Sequence, residues 1–96
     1  MQEGEFEWDD VKAVSNERDH GISFGMARAA FGDGFAIERV DRRHNDPEER
    51  FALLGMVDNR LLFVSYTLRG DRIRIISARK AEPHERRRYH DQGRQV

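Results

Sequence analysis

The sequence predicts a small α+β domain: two N-terminal helices, then a three- to four-stranded antiparallel sheet forming a meander, then a short C-terminal helix. Three observations predict it. Two segments with helical spacing of apolar residues come first, two short turn signals separate the apolar strands, and a proline opens the last segment. Ninety-six residues suffice for one core, so we expect a single domain over residues 1–96, with residues 1–5 and 93–96 frayed.

Two helices are predicted in the N-terminal third. Asp9 can cap a first helix over about Asp10–Asp19, and its buried face would carry Val11 and Val14. Ser23 can cap a second helix, because four apolar residues follow it at three- and four-residue steps: Phe24, Ala27, Ala30 and Phe31. Few residues join the two helices, so they should be neighbours.

The sheet is predicted from four segments: Phe35–Asp41, Phe51–Val57, Arg60–Leu68 and Arg72–Arg79. The last three form a meander, because the turns Asp58-Asn59 and Gly70-Asp71 have the composition of tight hairpins. Phe6-Glu7-Trp8 is either a short edge strand or an aromatic lid. Leu61–Tyr66 is apolar on both faces, and with little chain left to cover the second face we expect an exposed apolar patch.

Two helix-start patterns flank these strands. Asp46-Pro47-Glu48-Glu49 places Asp at the N-cap, Pro at the first position and Glu at the third, which predicts one helical turn before the sheet. Pro83 opens the last helix, predicted over His84–Gln92.

Composition excludes several classes of protein. There is no cysteine, which rules out disulfides and thiolate metal sites. The acidic N-terminus has no apolar signal region and no apolar run approaches 18 residues, so we expect a cytoplasmic protein without a membrane span. Charge is divided unevenly: Arg69 to Val96 holds 9 Lys or Arg against 4 Asp or Glu, whereas the first 68 residues hold 8 against 14. The C-terminal part therefore suits an anionic ligand.

Four separated blocks of the sequence carry distinctive motifs. Phe6–Phe24 is similar to the pattern F-x-W-D-x-x-K followed by S-N-x-x-K/R-H-G, although Asp19 stands where that pattern has a basic residue. Asp41–Phe51 is similar to D-x-R-H…E-x-R-F, Arg69–Ala81 contains R-I-I-S-A-R-K-A, and Glu85–Tyr89 has the sequence E-R-R-R-Y. In these blocks, and in their order, the sequence resembles the BrnT toxins, and the resemblance covers nearly the whole chain.

The resemblance implies a toxin of a type II toxin–antitoxin pair with a fold similar to the RelE ribonucleases. Such a protein would cleave RNA without a metal or other cofactor, through attack of the 2′-hydroxyl, and would inhibit translation and growth. The implied partners are the RNA substrate and a BrnA-type antitoxin, a DNA-binding repressor with which the toxin forms a hetero-oligomer.

Metal-free RNA cleavage needs groups that stabilise the phosphate and groups that transfer protons. Arg79 and Lys80, at the corner after the last strand, are our candidates for holding the phosphate, and Arg74 is expected to assist. Strand alternation puts Arg74 and Arg79 on opposite faces unless a bulge intervenes near Ser77. An ordinary solvated strand face is the alternative interpretation of these arginines.

For proton transfer the candidates are His44 and Glu49, which lie on the irregular segment before the sheet. Glu49 could equally be the capping partner of Asp46. Four further residues are candidate RNA contacts: Arg72, Arg86, Arg87 and Tyr89. The histidines do not lie at ligand spacings, so no metal site is expected.

Two other functions fit the same composition. The chain could be a nucleic-acid-binding module that grips the backbone without cleaving it, or a module whose remaining task is to bind its antitoxin. Toxicity on expression separates a ribonuclease from both of these alternatives, and salt-sensitive RNA binding without cleavage would identify the first of them.

Overall fold

The structure of the protein is a computed structural model that describes residues 2–43 and 47–92. Within these residues the chain forms the following elements in order: β1 Gln2–Glu3, β2 Phe6–Glu7, α1 Asp10–His20, α2 Phe24–Ala30, β3 Ile37–Asp41, β4 Arg50–Val57, β5 Arg60–Arg69, β6 Arg72–Lys80 and α3 Pro83–Asp91. The α+β class is confirmed. No helix in the described part of the chain is long and apolar enough to span a bilayer.

The strands form one mixed sheet with the order β1-β2-β6-β5-β4-β3. The predicted antiparallel meander is confirmed for β4, β5 and β6, and β3 joins it antiparallel to β4. The strand count and the purely antiparallel pairing were wrong, because β1 and β2 extend the sheet and β2 runs parallel to β6. Of the two interpretations of Phe6-Glu7-Trp8, the short strand is confirmed for Phe6 and Glu7, whereas its parallel pairing and the outer strand β1 were not predicted, because two-residue strands carry no periodic pattern.

Both predicted hairpin turns are present. Asp58 and Asn59 have φ values of 48° and 66°, the left-handed conformation that a type I′ turn requires at both central positions. Gly70 opens the second turn with φ at 58°. These turns set the register of β4, β5 and β6 and thereby the positions of all side chains on the sheet.

Helix α1 begins and ends as predicted, but it buries a different face. The Asp9 carboxylate accepts hydrogen bonds from the backbone N–H groups of Val11 and Lys12 at 2.8 and 3.1 Å, and Gly21 ends the helix in the left-handed conformation. The prediction that Val11 and Val14 are buried was wrong, since their exposed fractions are 78% and 68%.

The buried side of α1 is held by Asn16, whose side-chain amide takes the place of a strand neighbour. Strand β2 accompanies β6 only as far as Arg74. Beyond it, Asn16 Nδ2 donates to the carbonyl oxygen of Ala78 at 2.8 Å, and Asn16 Oδ1 accepts from the Ala78 N–H at 3.1 Å. The same Nδ2 also donates to the carbonyl of Ile22 at 2.9 Å. One buried amide therefore pairs the edge of β6 and ties α1 to it.

Both faces of the central strand are covered. On one face α1 and α2 pack with residues such as Phe24, Leu62 and Val64. On the other, a smaller core contains six buried residues: Ala52, Leu54, Leu61, Phe63, Ala81 and Tyr89. The expected apolar patch on this strand was therefore wrong, because the short helix α3 closes the second face.

Gly55 lets α2 lie close against β4. A Cβ atom at this position would lie 2.5 Å from the carbonyl oxygen of Ala30 and 3.0 Å from its Cβ. These distances are far below van der Waals contact, so the C-terminal end of α2 can approach the sheet only where β4 has no side chain.

The segments around β3 and α3 depart from the predictions in detail. Phe35 is outside the strand and 72% exposed, because β3 begins only at Ile37. Pro47 and Glu48 form a bend rather than the predicted helical turn, and Asp46 lies outside the described residues. The last helix is confirmed and starts at Pro83.

We expect Asn16→Asp to lower the free energy of unfolding by about 2–3 kcal/mol, because a carboxylate would face two backbone carbonyl oxygens with no hydrogen to donate. For a domain of this size the melting temperature should fall by roughly 10 °C or more. Thermal denaturation followed by circular dichroism measures this, with Glu17→Gln on the exposed side of the same helix as the control. An unchanged melting temperature for Asn16→Asp would contradict the bridging role.

Candidate functional site

An extra residue in β6 brings the arginines of this strand onto one face of the sheet. Ser65 pairs with Ser77 but Tyr66 pairs with Ile75, so Ile76 has no counterpart on β5. Arg74 therefore lies on the same face as Arg79, the face that α3 covers at one end. The strand alternation had predicted opposite faces for Arg74 and Arg79 unless a β-bulge lay near Ser77, and this bulge is present.

A cavity of about 320 Å³ opens on this face beside the uncovered part of the sheet. Eight residues line it: His20, Arg43, Arg50, Phe63, Ser65, Ser77, Ala78 and Arg79. None of these eight is acidic, and three guanidinium groups, one imidazole and two hydroxyls converge there. We call this the cationic cavity. Its lining favours an anionic group with several acceptor oxygens, such as a phosphodiester.

Several elements contribute to the cationic cavity. Ser65 and Ser77 lie directly opposite each other on β5 and β6. Arg50 begins β4, where it pairs with Asp41 at the end of β3. His20 is the last residue of α1, which Asn16 anchors to β6 at Ala78. The position of the imidazole therefore depends on the helix being tied to the edge of the sheet.

Arg79 is held rigidly by a carboxylate and an aromatic ring. Its Nη1 and Nη2 atoms contact Glu85 Oε1 and Oε2 at 2.9 and 3.0 Å, and its guanidinium lies 4.3 Å from the centre of the Phe63 ring. Burial alone would raise the pKa of Glu85, but its hydrogen bonds with Arg79 and the Glu82 N–H outweigh burial and lower that pKa. The carboxylate thus stays charged and fixes the arginine at the cavity wall.

Arg43 is oriented in a similar way from the other side. Its Nε and Nη2 atoms contact the two carboxylate oxygens of Asp41 at 2.9 and 2.8 Å, and its guanidinium lies 5.6 Å from the Phe63 ring centre. The Asp41 side chain is only 3% exposed, whereas that of Arg43 is 60% exposed. The hydrogen bonds that Arg43 donates to Asp41 raise the pKa of Arg43, which therefore presents a fixed positive charge to a ligand.

The remaining strand arginines share the face but do not line the cationic cavity. Arg74 contacts Glu7 at 2.7 Å, in the parallel pair that joins β2 to β6. Arg72 donates to the carbonyl oxygen of Gly4 at 2.7 Å. These two candidates therefore also hold the N-terminal strands against the sheet.

The structure separates Lys80 from Arg79. Lys80 pairs with Leu62 and so lies on the face that carries α1 and α2, where it is exposed. Arg86 and Arg87 are exposed on α3 and do not line the cavity. Of the candidates for holding phosphate, Arg79 alone reaches the cationic cavity among the described residues.

Tyr89 and Glu49 are placed away from the cationic cavity. The Tyr89 ring is packed in the smaller core and its hydroxyl donates to Asp33 at 2.6 Å. Burial and this hydrogen bond raise the pKa of Tyr89 to about 12. Glu49 is exposed, and its backbone carbonyl accepts a hydrogen bond from Thr67 Oγ1 at 2.6 Å. His44 lies outside the described residues.

The sequence interpretation missed most of the residues that line the cavity. His20, Arg50, Ser65 and Ser77 were not proposed as site residues. The available signal was the set of blocks that resemble BrnT toxins, because the first block contributes His20, the second contributes Arg43 and Arg50, and the third contributes Ser77 and Arg79. Segments distant in sequence thus meet at one cavity.

One cluster has the composition of a metal site. Ligand atoms of Glu82, His84 and Glu85 lie within 4.8 Å of one another. The two glutamates form the capping box at the start of α3, and Glu85 also holds Arg79. These roles explain the cluster without a metal ion.

The family model described as "Ribonuclease toxin, BrnT, of type II toxin-antitoxin system" matches residues 8–85. A search of curated proteins found no match. The matched span includes every residue that lines the cationic cavity.

Acid should destabilise the protein through two carboxylates. Glu85 and Asp33 both have lowered pKa values, because their hydrogen bonds outweigh the effect of burial. Their stabilising contribution is complete above the ordinary values of 4.5 and 3.8 and is lost as the pH falls through the lowered folded-state pKa values. We expect urea unfolding to give a smaller free energy at about pH 3 than at pH 7, and Asp33→Asn to reduce that difference. The same reduction in Asp71→Asn, on the exposed turn, would contradict the assignment.

Arg79→Ala should be destabilising, because it leaves the Glu85 carboxylate, 5% exposed, without its guanidinium partner. We expect a loss of about 2–3 kcal/mol, below that of a fully buried pair because the Arg79 side chain is 29% exposed. Adding Glu85→Gln should recover part of this stability, since a neutral amide costs less to bury. Thermal unfolding of both variants measures the effect. If the double variant were no more stable than Arg79→Ala, the buried Glu85 carboxylate without its partner would not be the cause of the lost stability.

Proposed function

Because the chain belongs to the BrnT family of type II toxin–antitoxin ribonuclease toxins, we propose that it cleaves RNA in the cationic cavity. The observation that carries this proposal is the composition of the cavity: Arg43, Arg50 and Arg79 surround an imidazole and two hydroxyls, with no acidic residue among the lining residues. Such a site binds a phosphodiester and offers a group that can move protons.

In the proposed reaction the 2′-oxygen of the ribose attacks the adjacent phosphorus and the 5′-oxygen of the next nucleotide leaves. The 2′-hydroxyl gives up its proton to a base, and an acid protonates the leaving oxygen, so the products are a 2′,3′-cyclic phosphate and a 5′-hydroxyl. Charge builds on the phosphate oxygens during attack. The three arginines stabilise this charge, and Arg43 and Arg79 do so without reorganising because Asp41 and Glu85 already hold them in place, which removes the need for a metal ion.

Hydrogen bonding in the cavity is assigned to the serines. Ser65 and Ser77 lie on paired positions of neighbouring strands, so their hydroxyls can donate to phosphate oxygens from the floor of the cavity. The arginines then approach from the rim. This division leaves the imidazole for proton transfer.

We assign proton transfer to His20, the histidine that lines the cavity among the described residues. His44 directly follows Arg43 in the sequence and is the second candidate. Glu49, Lys80 and Tyr89 do not line the cavity, so they have no role in the proposed reaction.

The type II family implies an antitoxin partner. We propose that it is a BrnA-type repressor and that it keeps RNA away from the cationic cavity.

Arg50→Ala is the clearest test of the site. Arg50 lines the cationic cavity from the start of β4, so its loss should remove one positive charge from the phosphate site. We expect the RNA cleavage rate to fall about 100-fold, the usual effect of removing one group that stabilises transition-state charge. The rate is measured on a defined RNA oligonucleotide with purified protein, alongside growth of expressing cells.

The matched control is Arg60→Ala, which removes the same charge at the exposed β4–β5 turn, away from the cavity. Its cleavage rate should equal that of the wild type, and circular dichroism verifies that both variants are folded at the temperature of the assay. Wild-type cleavage by Arg50→Ala would overturn the proposed site. RNA binding without any cleavage by the wild-type protein would favour the non-cleaving binding module instead.

A further inference from the structure

We propose that the outer edge of β3 is the docking surface of the antitoxin, which adds an extended acidic segment to the sheet there. β3 is the terminal strand of the sheet, and its pairing with β4 engages only one side of it. Alternate residues of such a strand direct their N–H and C=O groups outward, where they can pair with another extended chain.

The charge beside this edge specifies the chemistry of the added strand. A cavity of about 280 Å³ runs along it and is lined by Arg39, Val40, Asp41, Arg42 and Arg43. We call this the edge groove. The groove has one carboxylate, that of Asp41, and its bidentate contact with Arg43 neutralises its charge. Arg39 and Arg42 therefore give the groove a net positive charge. Acidic side chains on an incoming strand would meet these two guanidinium groups.

The same charges argue against two other occupants. A second copy of this chain would bring its own Arg39 and Arg42 against the first pair, and like charges on an edge oppose self-pairing. RNA would satisfy the arginines but not the alternating backbone donors and acceptors of β3. An extended acidic peptide satisfies both sets of groups.

The edge groove is continuous with the proposed catalytic site. Arg43 lines both the edge groove and the cationic cavity, and Asp41 at the end of β3 pairs in register with Arg50 of that cavity. A strand seated on β3 would therefore cover one rim of the cavity. The bound antitoxin would then exclude RNA both sterically and electrostatically. This consequence rests on the proposed function, whereas the docking surface does not depend on it.

The test compares two doubly charge-reversed variants for binding of the purified cognate antitoxin by calorimetry. Arg39→Glu/Arg42→Glu reverses the edge groove and leaves the residues of the cationic cavity unchanged. Lys12→Glu/Arg60→Glu makes the same change in net charge at exposed positions on α1 and at the β4–β5 turn. We expect the first variant to bind at least about tenfold more weakly and the second to bind as the wild type does.

Hydrogen exchange then distinguishes strand addition from attraction by charge alone. In the wild-type complex the amides of residues 37–41 should exchange more slowly than in the isolated toxin, because new backbone hydrogen bonds form on β3. Undiminished binding by Arg39→Glu/Arg42→Glu would overturn the proposal. So would protection confined to α1, where Val11 and Val14 are exposed, or protection of residues 37–41 by an RNA oligonucleotide instead of the antitoxin.

These measurements do not depend on catalysis. If Arg50→Ala cleaves RNA normally but the antitoxin still protects β3, the proposed catalytic site is contradicted and the proposed docking surface is supported. If Arg39→Glu/Arg42→Glu stays toxic and is no longer neutralised by co-expressed antitoxin, both proposals are supported together. If it stays toxic and is fully neutralised, only the docking surface is overturned.

Discussion

The fold and the cavity both depend on one side chain, the amide of Asn16. Strand β2 is only two residues long, so most of the outer edge of β6 needs another partner. A primary amide has both a donor and an acceptor, as a peptide group does, and Asn16 uses them on the N–H and the carbonyl of Ala78. A helix thereby completes a sheet edge. Because His20 lies one turn further along the same helix, this contact also sets where the imidazole stands.

The positive charges of the cavity are prepared before any ligand arrives. Arg79 is fixed by Glu85 and Arg43 by Asp41, and both guanidinium groups flank the single ring of Phe63. Each carboxylate is almost fully buried whereas its arginine remains partly exposed. The carboxylates lower the electrostatic free energy of holding the two guanidinium groups close together, and the Phe63 ring helps to orient these groups. The side chains of Arg43 and Arg79 therefore lose little conformational entropy when a ligand binds.

Features decided by neighbouring residues could be predicted from the sequence. The caps at Asp9 and Ser23, the turn at Asp58-Asn59 and the start of α3 at Pro83 each depend on a few consecutive side chains, and all were predicted correctly. Arg79 was also proposed as a site residue because it ends a strand at a basic corner; it lines the cationic cavity, and its role there stays a prediction.

Features decided by distant contacts could not be predicted in this way. Val11 and Val14 have the spacing of a buried face, yet both are exposed. Helix α1 instead packs through Asn16, because the amide of Asn16 supplies hydrogen bonds to the part of the β6 edge that β2 does not pair. Ser65 is a single polar residue in an apolar strand and carries no spacing signal. A RelE-like fold, implied by the resemblance, likewise stays a prediction. The resemblance did mark the right blocks, but only the folded chain shows that they meet.

The bulge at Ile76 also determines which changes in chain length this strand can accept. Removing Ile76 itself would leave the pairs on both sides of it intact, since Ile75 already faces Tyr66 and Ser77 already faces Ser65. Removing Ser77 or Ala78 instead would also keep Arg74 and Arg79 on one face, since any single deletion here removes the extra residue, but Ile76 would then take the place of Ser77 opposite Ser65. A deletion at Ile75 or Ile76 thus leaves Ser77 on the ligand-facing side, whereas a deletion at Ser77 or Ala78 would put an isoleucine there.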